Sequence, residues 1–181
     1  MSQIKSKKRV SELAEVYTNE REVEAMLDLV KLDSYNIDKT FLEPSCGNGN
    51  FIIAIIHRKL STITDDKEFN LIKVISSVYG IDICENNVQE TKQRVYDFLS
   101  EFMDISNISK QIWHILNQNI ILGDTINKPE NITIVEYSFE NHSICENLHN
   151  FKNLLEHTNN IFDVKNTNYI NYRVFPNRQT S

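Results

Sequence analysis

The spacing of apolar residues changes repeatedly between a helical and a strand-like period along the chain. Four apolar residues at i, i+3, i+4 and i+7 predict one face of a first helix: Val23, Met26, Leu27 and Val30. Asn19 with Glu22 three positions later fits a capping box. This helix is therefore predicted to begin near Glu20.

Short apolar runs bounded by turn residues alternate with further helical segments. Strands are predicted in TFLEP, SVYGIDI, NIILGD and ITIVEYSF, which are residues 40–44, 77–83, 119–124 and 132–139. Helices are predicted over 50–60, 69–75, 88–102 and 112–116. This alternation indicates an α/β fold with a mostly parallel sheet, which ends after its fourth strand.

The final part of the chain has a different pattern. From Asn141 onward it is polar, Asn-rich and weakly periodic, and FKNLLEH predicts only one or two helical turns. We therefore divide the chain into a basic N-terminal arm (1–17), a ligand-binding α/β domain (18–140) and a polar C-terminal segment of undetermined fold (141–181).

The stretch FLEPSCGNGNF links the first strand directly to an apolar helix. It contains Gly47 and Gly49, half of the four glycines in the chain. Glycine lets the backbone approach a ligand closely. The helix that follows offers free N–H groups and the positive end of its dipole, which suit a carboxylate or a phosphate. The turn is therefore a candidate ligand site.

Each of the three strands up to residue 124 carries an acid at or near its carboxyl end, where ligands bind in such sheets. Asp82 is placed to accept hydrogen bonds from two ribose hydroxyls, and Asp124 from an adenine amino group. Glu43 favours an amino or sulfonium group. A carboxylate-binding helix end, a ribose acid and an adenine acceptor together predict S-adenosylmethionine as the cofactor.

Two other interpretations of the glycine-rich stretch remain. A nicotinamide dinucleotide needs G-x-G-x-x-G with an acid about twenty residues further on. Here the third glycine position is Ile52, and Asp82 lies further away. The other interpretation is a tight turn between strand and helix that binds no ligand.

Four segments resemble the amino-methylating, adenine-N6-type DNA methyltransferases of restriction-modification systems: EVYTNEREVEAML, FLEPSCGNGNF, YGIDICENNV and NIILGD. The resemblance runs from Val10 to Asn127. It implies a Rossmann-like S-adenosylmethionine-dependent methyltransferase fold. A small-molecule methyltransferase stays an alternative, because this fold serves many substrates.

The resemblance also implies roles for individual residues. Thr18 would contact the methionine carboxylate, Asp82 and Ile83 would bracket the ribose and the adenine, and Asp124 would meet the adenine amino group. The cofactor loop would contain Glu43, Pro44, Cys46, Gly47, Gly49 and Phe51.

One motif of that family is missing. Its Asn/Asp-Pro-Pro-Tyr/Phe loop holds the target amino group and stacks on the flipped base, and this chain has no Pro-Pro. Asn166 to Tyr169 has only the outer residues of that loop, so no catalytic residue is assigned. We therefore expect the cofactor-binding part of a split or truncated enzyme. The alternative is a catalytically silent module that docks on a restriction-modification complex and modulates it.

Composition and charge limit the partners, the compartment and the metals that are expected for this chain. The net charge of −6 argues against a free-standing, high-affinity nucleic-acid binder. DNA is therefore expected through a partner chain, such as a second methyltransferase or restriction subunit. Three scattered cysteines and the absence of a signal peptide predict a cytoplasmic protein. No metal-ligand spacing and no membrane-spanning run is found, so neither a metal nor a membrane is expected.

Overall fold

The computed structural model describes residues 18–140, 143–156 and 169–173, and its architecture is α/β. The helices are α1 (Glu20–Asp28), α2 (Lys31–Ser34), α3 (Asn50–Leu60), α4 (Lys67–Ser76), α5 (Glu85–Phe102), α6 (Ser109–Asn119) and α7 (Phe151–Glu156). The strands are β1 (Phe41–Glu43), β2 (Val78–Asp82), β3 (Ile120–Leu122), β4 (Thr133–Glu140), β5 (Ser143–Asn150) and β6 (Tyr169–Arg173). A short 3-10 helix covers Pro129–Asn131.

The first three strands form a parallel sheet in the order β1-β2-β3. Phe41 pairs with Val78, and Gly80 pairs with Ile120. The connection from β1 to β2 contains α3 and α4, and the connection from β2 to β3 contains α5 and α6. All three strands therefore end at the same edge of the sheet, which we call the carboxyl edge.

Side chains alternate across the parallel sheet, and each face buries its own apolar cluster. Val78 belongs to the large core formed with helices α3 to α6, whereas Tyr79 and Ile81 belong to a smaller cluster on the opposite face. That smaller cluster also contains Phe151 and Leu154 of α7. Helices α3 to α6 thus pack on one face, and α7 packs on the other together with Ile132 and Ile134.

The predicted helices and the first three strands are confirmed. Helix α1 begins at Glu20, and the Asn19 side chain accepts a hydrogen bond from the Glu22 N–H at 3.0 Å. Its predicted apolar face is only half buried, because Met26 and Val30 are exposed. The predicted turn or two near residue 151 is also confirmed, as the six residues of α7.

The fourth predicted strand forms, but it lies in a different sheet. β4 pairs antiparallel with β5, and β6 completes a separate three-stranded sheet in the order β4-β5-β6. Joining the first sheet as another parallel strand would require a crossover of a dozen or more residues, usually helical. Only residues 123–132, with one 3-10 turn, separate β3 from β4. The mostly parallel four-stranded sheet expected from the sequence is therefore corrected to three parallel strands.

Strand β5 lies in the segment where the sequence showed only weak periodicity. Its buried positions include Glu146, Asn147 and His149, which conceal the apolar alternation. Glu146 lies 2.8 Å from the His114 ring, and His149 lies 3.0 Å from the Glu136 carboxylate. These hydrogen bonds offset part of the cost of burying polar groups in a strand.

Polar and aromatic contacts attach the antiparallel sheet to the parallel unit. The Tyr79 hydroxyl donates to the Val135 carbonyl at 2.6 Å, and the Tyr137 hydroxyl donates to Asn119 Oδ1 at 3.1 Å. Phe69 and Phe139 pack edge to face at 5.7 Å. The two sheets therefore share contacts through β2, α4 and α6.

Two features of the sequence fall outside the described residues. One is the basic cluster of the N-terminal arm (Lys5, Lys7, Lys8 and Arg9). The other is the segment 166–168, which precedes Tyr169 at the start of β6.

Lys59 carries a buried amine near the end of α3. Its ammonium donates to the Lys39 carbonyl and to Ser77 Oγ, and it lies 5.1 Å from the centre of the Phe41 ring. Burial lowers the pKa of Lys59 to about 7, and the charge of Asp38 only partly opposes this effect.

The shifted pKa of Lys59 predicts a pH dependence of stability. Between about pH 7 and pH 10.5 the unfolded chain binds a proton that the folded chain does not, so the free energy of unfolding rises with pH. Urea titrations give the free energy of unfolding of wild type and of Lys59→Met. We expect the wild-type value minus the Lys59→Met value to increase by at most about 1.4 kcal/mol per pH unit across this window. The exposed Lys67→Met is the control and should change nothing. Parallel curves for wild type and Lys59→Met would contradict the burial of a titrating amine.

Candidate functional site

The turn between β1 and α3 depends on two glycines with left-handed backbones. Gly47 has a φ of 54° and Gly49 has a φ of 85°. Gly49 is also the N-cap of α3, and a Cβ there would lie 2.6 Å from Thr91 Cγ2 on α5. The turn therefore brings the backbone against α5 as only glycine allows.

The carboxylate of Asp82 holds this turn to the end of β2. Its Oδ2 accepts the Gly47 N–H at 2.8 Å, and its Oδ1 accepts the Cys84 N–H at 2.8 Å and the Asn87 amide at 3.2 Å. Asp82 is only 6% exposed. Because a carboxylate has about four acceptor sites, roughly one remains for a ligand hydroxyl.

The loop after β3 completes the same edge. The Gly123 N–H donates to the Asp82 carbonyl at 2.9 Å, and the Thr125 hydroxyl donates to the Pro44 carbonyl at 3.3 Å. The loops that follow β1, β2 and β3 therefore touch one another. The predicted residues Pro44, Gly47, Asp82 and Asp124 lie within this contiguous group of loops.

Asp124 organises the loop after β3 and remains charged. Its Oδ1 accepts the Ile126 and Asn127 N–H groups at 3.1 and 2.9 Å, and its Oδ2 accepts the Asn127 amide at 2.9 Å. The hydrogen bonds from Asn127 are the main reason that the pKa of Asp124 lies below its usual range. A ligand amino group would therefore meet an ionised acceptor.

Glu43 and Cys46 lie at the start of the glycine-rich turn, and burial raises the pKa of both groups. Burial raises the pKa of Glu43, and its bond from the Ser45 N–H at 3.2 Å opposes that rise. Burial, followed by the charges of Asp82 and Glu43, raises the pKa of the Cys46 thiol to about 12. Cys46 is therefore an inert packing residue, with no reactive thiolate near neutral pH.

Three large apolar side chains are exposed on the loops and strand ends beside these acids. Ile83 is 61% exposed, Leu122 is 52% exposed and Ile126 is 86% exposed. Leu122 is also the register partner of Asp82. The carboxyl edge thus combines an ionised acceptor with apolar surface, which suits a flat heteroaromatic ligand.

The remaining predicted residues, Thr18 and Phe51, lie next to the start of α3. The Thr18 carbonyl accepts the Asn50 side-chain amide at 2.8 Å, which ties the lead-in segment to the start of α3. Phe51 is partly buried against the large core. Thr18 therefore lies beside the turn, and Phe51 lies between the turn and the large core.

Three residues of α5 hold the site and were not identified from the sequence. The Thr91 hydroxyl donates to the Gly47 carbonyl at 3.0 Å, and Arg94 Nη1 donates to the Asn48 carbonyl and to Asn50 Oδ1. Asn87 is the third. The signal was present in their spacing, because Asn87, Thr91 and Arg94 fall at i, i+4 and i+7 on a helix.

The described residues contain neither a metal-binding cluster nor a membrane-spanning helix. Within the described ranges, no group of three or more His, Cys, Asp or Glu side chains is placed to hold a metal ion. The helices in those ranges are too short or too polar to cross a bilayer. No protein-family model, curated protein or solved structure matches the chain. The function is therefore argued from the carboxyl edge itself.

The close approach of Gly49 to α5 predicts a large cost for adding one methyl group. Gly49→Ala should lower the free energy of unfolding by about 1–3 kcal/mol, because alanine is strained at this φ and its Cβ meets Thr91. Thr91→Ser removes the nearest contacting methyl group and should recover part of that loss in the double variant. Chemical denaturation of the three variants measures both effects. A Gly49→Ala protein as stable as wild type would refute the described turn.

Proposed function

We propose that the chain binds S-adenosylmethionine at the carboxyl edge and is the cofactor-binding part of an adenine-N6-type DNA methyltransferase, split or truncated. The observation that carries this proposal is the contact among the three loops. They bring the glycine-rich turn, Asp82 and the loop that contains Asp124 to one edge of the sheet, where Ile83 is exposed. The three parallel strands would then be one half of a Rossmann-like sheet.

The adenosine end of the cofactor has matching groups on two loops. The adenine amino group would donate to the ionised Asp124, and the ring would lie on Ile83 and Ile126. The free acceptor site on Asp82 would take one ribose hydroxyl. Asp82 would therefore serve the fold and the ligand together.

The methionine end has matching groups at the start of α3. The helix N-terminus favours the carboxylate, because its N–H groups are free and its dipole is positive there. Thr18 lies beside this helix end through its bond to Asn50. Glu43, on the adjoining turn, would favour the amino group or the sulfonium charge once ionised.

The catalytic loop and the DNA surface would come from a partner chain. The chain has no Pro-Pro, and its net charge is −6. Its β4 pairs with β5 and does not extend the parallel sheet, so the described residues contain no fourth parallel strand for that family's base-holding loop to follow. The same observations fit a catalytically silent module that docks on a restriction-modification complex.

Calorimetric titration with S-adenosylmethionine tests the cofactor proposal. We expect binding that Asp124→Ala weakens about fivefold, through loss of a charged acceptor. Asp104→Ala is the matched control, because Asp104 also accepts a backbone N–H two residues ahead, at 3.0 Å, but lies outside the carboxyl edge. Asp82→Ala is less informative, because Asp82 is buried and its three bonds join separate elements of the fold, whereas the three bonds of Asp124 stay within its own loop. Equal affinities for the Asp124 and Asp104 variants would contradict the proposed adenine contact.

Methyl transfer to a mixed DNA pool separates a split enzyme from a complete one. The chain alone should bind the cofactor and transfer no methyl group, because the base-holding loop is missing. A partner that carries Asn-Pro-Pro-Tyr should restore transfer if the enzyme is split. Transfer by the chain alone would overturn the split-enzyme proposal.

A further inference from the structure

A cavity lies in the helical layer, beside the start of α3. Its volume is about 400 Å³, within the range of small-molecule pockets. Each of three helices contributes one face to it. The lining includes Glu20 and Val23 of α1, Ile53 and Ala54 of α3, and Arg94 and Phe98 of α5.

Helix α3 forms the floor of this groove, and the other two helices form its walls. On one side, Arg58 of α3 bonds to Glu24 of α1. On the other, Asn50 of α3 bonds to Arg94 of α5, and His57 packs edge-on against Phe98 at 5.9 Å. The acidic wall of α1 therefore faces the basic wall of α5 across α3.

The two ends of the groove differ in polarity. Arg94 bonds to Asn50, the first residue of α3, whereas Phe98 contacts His57 one helical turn before the end of that helix. Glu20 is the first residue of α1, whose lead-in residue Thr18 bonds to Asn50. The head of the groove is therefore polar, and its body along Val23, Ile53 and Ala54 is apolar.

Among the described residues, the charges at the head of the groove have no partner of opposite sign. Arg94 Nη1 donates only to the Asn48 carbonyl and Asn50 Oδ1, both neutral, and its Nε and Nη2 donate to no described residue. Glu20 is exposed and forms no ion pair within the described ranges. Glu24, further along the wall, is already bonded to Arg58 at 3.0 Å. The head thus offers one unpaired cation and one unpaired anion.

We propose that this groove is a second binding site, for an apolar α-amino acid. The ligand carboxylate would pair with Arg94, its ammonium group with Glu20, and its side chain would lie along Val23, Ile53, Ala54 and Phe98. This assignment uses both unpaired charges and the apolar body of the groove. It goes beyond the cofactor proposal and does not require it.

Protein-observed NMR with L-phenylalanine as the probe tests this site. Saturable shifts of the Ile53 and Ala54 amides are expected at millimolar concentration. N-acetyl-L-phenylalanine lacks the ammonium group, L-phenylalaninol lacks the carboxylate and glycine lacks the side chain, so each should bind at least about fivefold more weakly. No saturable shift with L-phenylalanine, or equal binding of the N-acetyl analogue, would overturn the proposal.

Variants locate the site within the groove. Glu20→Gln and Arg94→Gln should each weaken L-phenylalanine binding about threefold or more, and Ala54→Leu should abolish it by filling the body. Arg21→Gln is the control, because Arg21 is exposed on α1 and does not line the groove. Glu20 is exposed, so its variant stays informative if Arg94→Gln disturbs the fold. Unchanged binding in both Glu20→Gln and Ala54→Leu would overturn the assignment.

Competition distinguishes this site from the cofactor site. L-phenylalanine should bind equally well with and without saturating S-adenosylmethionine. Displacement by S-adenosylmethionine would overturn the assignment of a separate site. If S-adenosylmethionine fails to bind while L-phenylalanine binds as described, the cofactor proposal fails and the amino-acid site stands.

Discussion

The carboxylate of Asp82 is the contact on which the carboxyl edge depends. It accepts the Gly47 N–H, the Cys84 N–H and the Asn87 amide, so one buried side chain joins the glycine-rich turn, the end of β2 and the start of α5. A buried carboxylate is stable only with such donors. The left-handed backbones of Gly47 and Gly49, and the close approach of Thr91 to Gly49, bring the turn within reach of Asp82.

This attachment separates the residues that build the edge from those that face solvent. Asp82 and Cys46 are buried, and their contacts mainly support the fold. Ile83 and Ile126 are exposed, and Asp124 carries an ionised carboxylate. In the proposed cofactor site, ligand recognition would therefore fall mainly to the loops after β2 and β3. In the groove beside the turn, Arg94 bonds only to neutral oxygens of Asn48 and Asn50, and Glu20 forms no ion pair within the described ranges.

The sequence predicted the features that depend on short-range spacing. The capping residue Asn19, the positions of the first three strands and the glycine-rich turn follow from residues that lie close together in the chain. Gly47 and Asp82 are 35 residues apart, so their hydrogen bond has no local signal. Strand β5 was missed for another reason, because Glu146 and His149 occupy buried positions that alternation assigns to apolar residues.

The most direct test of the cofactor site is an amide NMR map of S-adenosylmethionine binding. The account predicts that the largest shifts fall on Gly47, Ile83, Asp124 and Thr125, which lie on the three loops in contact at the carboxyl edge. Residues of the antiparallel sheet should not respond. Saturable shifts confined to the α1, α3 and α5 groove, or no shifts at all, would contradict the assignment of this edge as the cofactor site.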